Sequence, residues 1–457
     1  MARIARLIAR MLLAMALAAP HLLRAQEAPV PTPGNDQGNG RGESAGAVTP
    51  EDWSFHAQTT FIEQGNLRFH SPYRGQNSLD PAPRGRESST GTLFLGRRLP
   101  WDSGGALYFD PEFNQGFGLS KTEGVAGFPN GEAQKGGFDT PKPNVARLFV
   151  RQNFGLGGGL VNIDADENQL ADVEDANRVT VTAGKYSPTD IFDTNDYAGD
   201  PRNDFMNGAI WAAGAWDYPA DSKGYSDGAA VEWIHPQWTL RGGWYLESKI
   251  ANQRDLEPRF WHSFGSVAEL ENHFALGARA GVLRTLVFAN RAPMGSNDQA
   301  AQNGGNIVVT RRSRWKPGFV LNLQQEVTAD LGVFGRFSLS NGHTESWAFE
   351  DIDQSESVGI SLKGARWGRK GDTVGVGLAQ NELTRQHRSY FAAGGLGILV
   401  GDGKLSYAPE RILETYYRAQ LFTPLSVSLD YQFVDDPAYN SARGPVSIFA
   451  ARIHLQY

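Results

Sequence analysis

The chain has 457 residues, 53 of them glycine, with 11% aromatic residues, no cysteine and a formal net charge of −7. The lack of cysteine excludes a disulfide framework, thiolate metal sites and cysteine nucleophiles, so the fold must rest on backbone pairing and packing. An acidic chain without a basic cluster argues against nucleic-acid binding, and no stretch is long and apolar enough for a transmembrane helix, a test that β-barrels escape.

In chain order, Arg3, Arg6 and Arg10 precede the apolar run MLLAMALAA (11–19), and small residues follow. This predicts an export signal over 1–25, cut after Ala25 or Ala18, rather than a short amphipathic helix of the mature protein. Its removal takes away four arginines and no acid, which moves the net charge to −11. Residues 26–52 are rich in Pro, Gly, Asn and Ser without apolar period, and read as a flexible periplasmic linker.

From Trp53 onward the texture is short alternating runs. Candidate strands lie near 55–64, 90–99, 104–113, 146–155, 178–187, 225–235, 238–247, 265–274, 278–289, 318–327, 330–340, 355–366, 371–382, 414–422, 425–434 and 445–457, about sixteen in all. LSVSLDYQFV (425–434) sets Leu425, Val427, Leu429, Tyr431 and Phe433 against Ser426, Ser428, Asp430 and Gln432. The chain ends on ARIHLQY, with Phe449, Ala451, Ile453, Leu455 and Tyr457 on one face and Arg452, His454 and Gln456 on the other. Joins at 99–105, 235–237, 328–330 and 422–424 are tight, whereas 65–89, 114–145, 188–224 and 384–409 are long and polar. The stretch 284–306 resists parsing, and the register over 250–316 stays open.

Alternation alone also fits a soluble β-sandwich. A chain this long would need several sandwiches, yet no linkers separate them. An antiparallel up-and-down transmembrane barrel of about sixteen strands fits better: closure removes unpaired edges, a wide lumen is wet, and the apolar face then points to lipid. Trp53, Trp101, Trp238, Trp315, Trp367, Tyr431 and Tyr457 near strand ends would form interfacial girdles.

Three stretches carry a family resemblance: QTTFIEQGNLRFHSPYRGQNSL (58–79); GKYSPTDIFDTNDYAGDPRNDFMNGAIWAAGAWDYPADSKGY (184–225); and ETYY (414–417), DYQFVDDPAYN (430–440) and RGPVSIFAARIHLQY (443–457) at the end. They resemble the carbohydrate-selective porin (OprB-type) family of Gram-negative outer membranes. That resemblance implies a 16-stranded outer-membrane channel passing sugars, glucose-like mono- and oligosaccharides among them, by diffusion into the periplasm.

A sugar offers hydroxyls and an apolar C–H face, so a selective pore needs charged hydrogen-bonding groups and aromatic rings. The strand parity nominates Arg147, Arg151, Glu232, Arg241, Glu247, Glu326, Glu414, Arg418 and Arg452 as pore-lining, with plain barrel-interior charge as the competing role. The Asp-rich, aromatic 188–224 segment is expected to fold inward as a constriction loop, with Asp190, Asp193, Asn195, Arg202, Trp216 and Asp217 narrowing the channel or pinning the loop.

DADENQLADVED (164–175) spaces Asp164, Asp166, Asn168, Asp172 and Asp175 like a Ca²⁺ loop, but Gln169 stands where such a loop needs glycine, so an acidic solvated loop is the default. GLGGGL (155–160) lacks the phosphate-loop Lys, HExxH and GxSxG are absent, and Asp190 with Asp193 is a weak glycosidase pair. No enzyme and no cofactor are expected. The partners expected are carbohydrate solutes and outer-membrane lipid, with homo-oligomer formation left open. The alternatives are a porin for other solutes and, further off, a soluble exported carbohydrate-binding β protein.

Overall fold

The computed structural model describes residues 48–101, 104–133 and 137–457; the expected export signal (1–25) and most of the expected linker (26–52) lie outside them. The strands are β1 (Trp53–Asn66), β2 (Arg84–Arg98), β3 (Gly105–Gly116), β4 (Phe138–Gly155), β5 (Leu160–Ile163), β6 (Asp172–Asp175), β7 (Arg178–Tyr186), β8 (Ser226–His235), β9 (Trp238–Leu246), β10 (Phe264–Leu276), β11 (Arg279–Ala292), β12 (Arg314–Thr328), β13 (Leu331–Ser340), β14 (Gln354–Lys363), β15 (Thr373–Glu382), β16 (Glu410–Phe422), β17 (Leu425–Asp435) and β18 (Val446–Gln456). All but β5 and β6 join one closed antiparallel barrel of sixteen strands, each beside its sequence neighbour, with β1 pairing β18 to close the ring. β5 and β6 form a separate hairpin between β4 and β7. No helix among the described residues is long and apolar enough to cross a membrane, a test that says nothing of a β-barrel.

The period-two pattern sets which side faces out. On β18, Phe449, Ile453 and Leu455 are exposed while Ile448, Arg452 and His454 are buried. On β17, Leu429 is 66% exposed between buried Ser428 and Asp430. Exposed apolar side chains therefore coat the outer wall, as lipid contact requires. Connections alternate in length. Both ends of the described chain and the tight joins share one rim, which the short turns of outer-membrane barrels assign to the periplasm; Trp53, Trp101, Trp238, Trp367 and Tyr457 sit there, and Trp315 stands at the opposite rim with the long, extracellular loops. Tyr431 lies further along β17, its ring 5.0 Å from that of Phe449.

The stretch 250–316 resolves into β10, β11 and an extracellular loop over 293–313. β11 blurs the alternation because its inward side is apolar too: Leu286 and Phe288 are buried, and Phe288 packs on Trp216 of the inward loop, ring centroids 6.4 Å apart. The lumen, expected to be wet, is likewise apolar in part. Phe334, Ile412, Tyr416, Val434 and Ile448 point inward and pack with Phe205 and Ile210 of that loop. Where a loop fills the barrel, the wall beneath it is dry and becomes core.

Short helices cap the loops: α1 (Gly208–Trp211), α2 (Asn297–Gln302) and α3 (Arg385–Ala392). Each is N-capped by a side chain, from Asn207, Ser296 and Thr384 respectively, which satisfies a free backbone N–H at the first turn.

Candidate functional site

The connection 187–225 between β7 and β8 enters the barrel and crosses to the far wall. Its start is a capping box: Ser187 N–H donates to Asp190 Oδ2 at 3.0 Å, and a single 3₁₀ turn follows. Asp193, backbone φ 57°, then turns the chain. Its carboxylate accepts from Arg336 Nε (3.1 Å), Asn322 Nδ2 (2.6 Å) and the Ala213 N–H (2.8 Å). Asn195 Nδ2 donates to Asn322 Oδ1 at 2.7 Å. On the opposite wall, Glu414 accepts from the Met206 and Asn207 N–H groups at 2.5 and 3.1 Å. Arg452 donates to the carbonyls of Pro201 and Asp204 at 2.5 and 3.1 Å, and Arg418 to Asn203 Oδ1 at 3.0 Å. The loop backbone, which no sheet satisfies, thus takes its partners from wall side chains.

A second extracellular loop (117–137) also turns in: Ala126 and Gly127 donate their N–H groups to the Glu410 carboxylate, both at 2.8 Å. Between the inward loops and the wall lies a cavity of about 340 Å³. β4 contributes Arg147 and Arg151, the inward loop Asp190, Asp200, Arg202, Tyr218 and Tyr225, and the 341–353 loop Phe349. From the periplasmic side come Glu167 and Asn168. Arg147 clamps Asp190 with two 2.7 Å bonds and approaches Asp110 at 3.4 Å, its guanidinium 5.5 Å from the Tyr225 ring. Arg202 bonds Glu132 at 3.1 Å. Tyr218 and Phe349 pack at 4.6 Å. Fixed guanidinium donors, carboxylate acceptors and ring faces converge on one small volume, a set whose chemistry suits a neutral polyol.

Of the residues singled out from the sequence, Arg147, Arg151, Asp190, Asp193, Asn195 and Arg202 border this cavity, with Asp193 and Asn195 spent on pinning. Glu414, Arg418 and Arg452 hold the loop from behind. Glu232 and Arg241 meet at 2.8 Å in a wall ladder that runs on through Glu269, Glu271 and Arg284 and lies away from the cavity. Glu326 pairs with Arg279 near the periplasmic rim. Glu247 is fully buried above β9, and neither carboxylate oxygen has a hydrogen-bond partner among the described residues.

Trp216 and Asp217, expected either to narrow the channel or to pin the loop, do not border the cavity. Trp216 is 2% exposed, packed on Tyr218 and Phe288, and lines no part of the cavity; a ring flanked by apolar neighbours is more stable in the core than in water. Asp217 is likewise buried, accepting from the N–H groups of Trp347 (2.6 Å), Ala348 (2.9 Å) and Phe349 (3.1 Å). The spacing of a Ca²⁺ loop over 164–175 is not realised. Asp172 pairs with Arg98 at 2.7 Å, Asp175 accepts from Gly157 N–H, Asn168 donates to Asp110, and no metal-binding cluster occurs among the described residues. Asp164 lies exposed at its start.

Sequence reading missed Asp110, Glu132, Glu167, Tyr218, Tyr225 and Phe349. Asp110 was legible in the parity of Tyr108, Asp110, Glu112 and Asn114 on β3, all buried on the lumen side. The others sit on loops, where no period exists to read.

The family described as carbohydrate-selective porin, OprB family, matches residues 94–457. No curated protein matches the chain. Among solved structures, the high-pH structure of Pseudomonas putida OprB is similar, with 16% identity, a TM-score of 0.67, and 89% of this chain and 94% of that one covered. The outer membrane channel DcaP of Acinetobacter baumannii shows 8% identity and a TM-score of 0.49 over 91% and 99% of the two chains. The likeness to the Pseudomonas putida structure carries the fold, and the family match covers most of the chain, strands and inward loop together. The chain therefore belongs to the carbohydrate-selective porin family, OprB, the sugar-selective β-barrel channels of the outer membrane.

Proposed function

We propose that neutral sugars of glucose-like size diffuse toward the periplasm through this cavity, with Arg147, Arg151, Asp190 and Arg202 as hydrogen-bonding partners and Tyr218 and Phe349 as the stacking surface. The observation that supports this reading is the convergence of three arginines, the carboxylates of Asp190 and Glu132 and two rings on about 340 Å³, a volume that fits a small solute. The arginines are held by Asp190, Glu132 and the Asn168 carbonyl. They are therefore pre-positioned, and a sugar meets donors that need little reordering. Mixed charge keeps the passage near electrical balance, which favours uncharged solutes over ions of either sign. Export by the leader over 1–25 is the route we infer to the outer membrane.

Liposome swelling tests the reading. Glucose and a disaccharide should enter faster than charged solutes of equal size; equal rates for sugars and ions would replace it with a general porin.

A further inference from the structure

The β4–β7 connection (156–177) leaves the barrel at the periplasmic rim, where the other joins are short. It forms the β5–β6 hairpin, and the tip between these two strands is a tight turn that borders the lumen cavity. Asp166 and Gln169 pair through two backbone hydrogen bonds at 3.1 and 3.0 Å. Glu167 and Asn168 are thus the two central residues of the turn. Asn168 has φ 57°, a left-handed conformation that asparagine tolerates better than most residues.

We propose that this turn is a third wall of the constriction, built from the periplasmic side, and that Glu167 and Asn168 take part in selecting the permeating sugar. The inference rests on the sugar-channel reading above and adds a determinant to it.

The turn is fastened rather than adrift. Arg151 Nη1 donates to the Asn168 carbonyl at 2.9 Å, and Asn168 Nδ2 donates to Asp110 at 3.0 Å. Leu170 is buried with Tyr108 and Phe149, and Ala171 exchanges hydrogen bonds with Glu51. Ordinary acidic-loop roles account for the neighbouring acids, since Asp172 pairs with Arg98 and Asp175 caps Gly157. Glu167 is different: its side chain reaches β18, where Gln456 Nε2 donates to it at 3.1 Å, and it borders the same cavity as Arg147 and Arg202. The groups around it are Arg147 of β4, Arg202 and Asp200 of the inward loop, Asp166 of its own turn and Gln456 of β18, with His454 beyond Gln456 at 3.3 Å. Burial raises the Glu167 carboxyl to about 8, against the pull of Arg202 and Arg147. Near neutrality it therefore carries a proton and offers both a donor and an acceptor, as a neutral polyol needs.

Planar-bilayer recordings with and without glucose test this, with heat-modifiable gel migration confirming that each variant folds. Removing the side chain in Glu167→Ala or Asn168→Ala should raise single-channel conductance by about twofold and weaken glucose block. Glu167→Gln keeps the shape and should keep the conductance near pH 7. It should abolish the drift toward cation selectivity that the wild type shows from about pH 7 to about pH 9 as the carboxyl ionises. The proposal is overturned if glucose blocks the wild type while all three variants match it in conductance, block and pH profile. Failure of glucose to block the wild type would instead overturn the sugar-channel reading beneath it.

Discussion

Asp193 of the inward loop and Arg336 of β13 form an ion pair at 3.1 Å, with side chains 2% and 1% exposed. Arg336 also donates to the carbonyls of Asp193 and Ile210, so one guanidinium ties both limbs of the loop to the wall. Asp193→Ala leaves that charge buried without its counter-ion. Breaking such a pair costs about 3–5 kcal/mol. The expected outcome is a lower urea midpoint in detergent and noisier single-channel currents, since the loop loses its main pin.

Asp217 holds the 341–353 loop by three backbone N–H groups. Asp217→Ala strands these donors, and each buried unmatched group costs about 1–3 kcal/mol. Limited proteolysis should then cut within 341–353. Phe349, which this contact places on the cavity, should also contribute less to sugar block.

Trp216 and Tyr218 are neighbours with opposite roles. Trp216→Ala empties a core site and should destabilise by about 3–5 kcal/mol, with sugar block nearly intact in the folded fraction. Tyr218→Ala removes a cavity-lining ring and should weaken block with a smaller loss of stability. The reverse pattern in paired melting and bilayer measurements would move the stacking surface to Trp216.

Asp204 lies in the inward loop, outside the strands, and its carboxyl is raised from 3.8 to about 6. Burial is the main cause; Arg418 and Arg452 pull it down, and Asp200 pushes it up. A carboxyl raised in the fold prefers its proton there, so its contribution to stability is complete below about 3.8 and fades as pH rises through about 6. Urea midpoints should fall over that window in the wild type and stay flatter in Asp204→Asn.

The sixteen barrel strands were legible because a strand's side chains alternate by covalent geometry, and lipid on one side makes that alternation visible in residues such as Leu429 and Ile453. The same rule placed Arg147, Arg151, Glu414, Arg418 and Arg452 on the lumen side. It failed on β11, where Leu286 and Phe288 face a loop instead of water. The composition of 188–224 alone pointed to an inward loop.

Which lumen residues line the cavity was decided elsewhere. Arg452 and Asp204 are 248 positions apart when they bond, and Glu167 and Gln456 are 289 apart. Local periodicity carries no information over such separations. Sequence alone determined the barrel, its lipid face and its inward loop, because each follows from a pattern within a few residues. Only the tertiary structure divided the lumen charges into pins and lining groups, since that depends on which of them a folded loop covers and which it leaves wet.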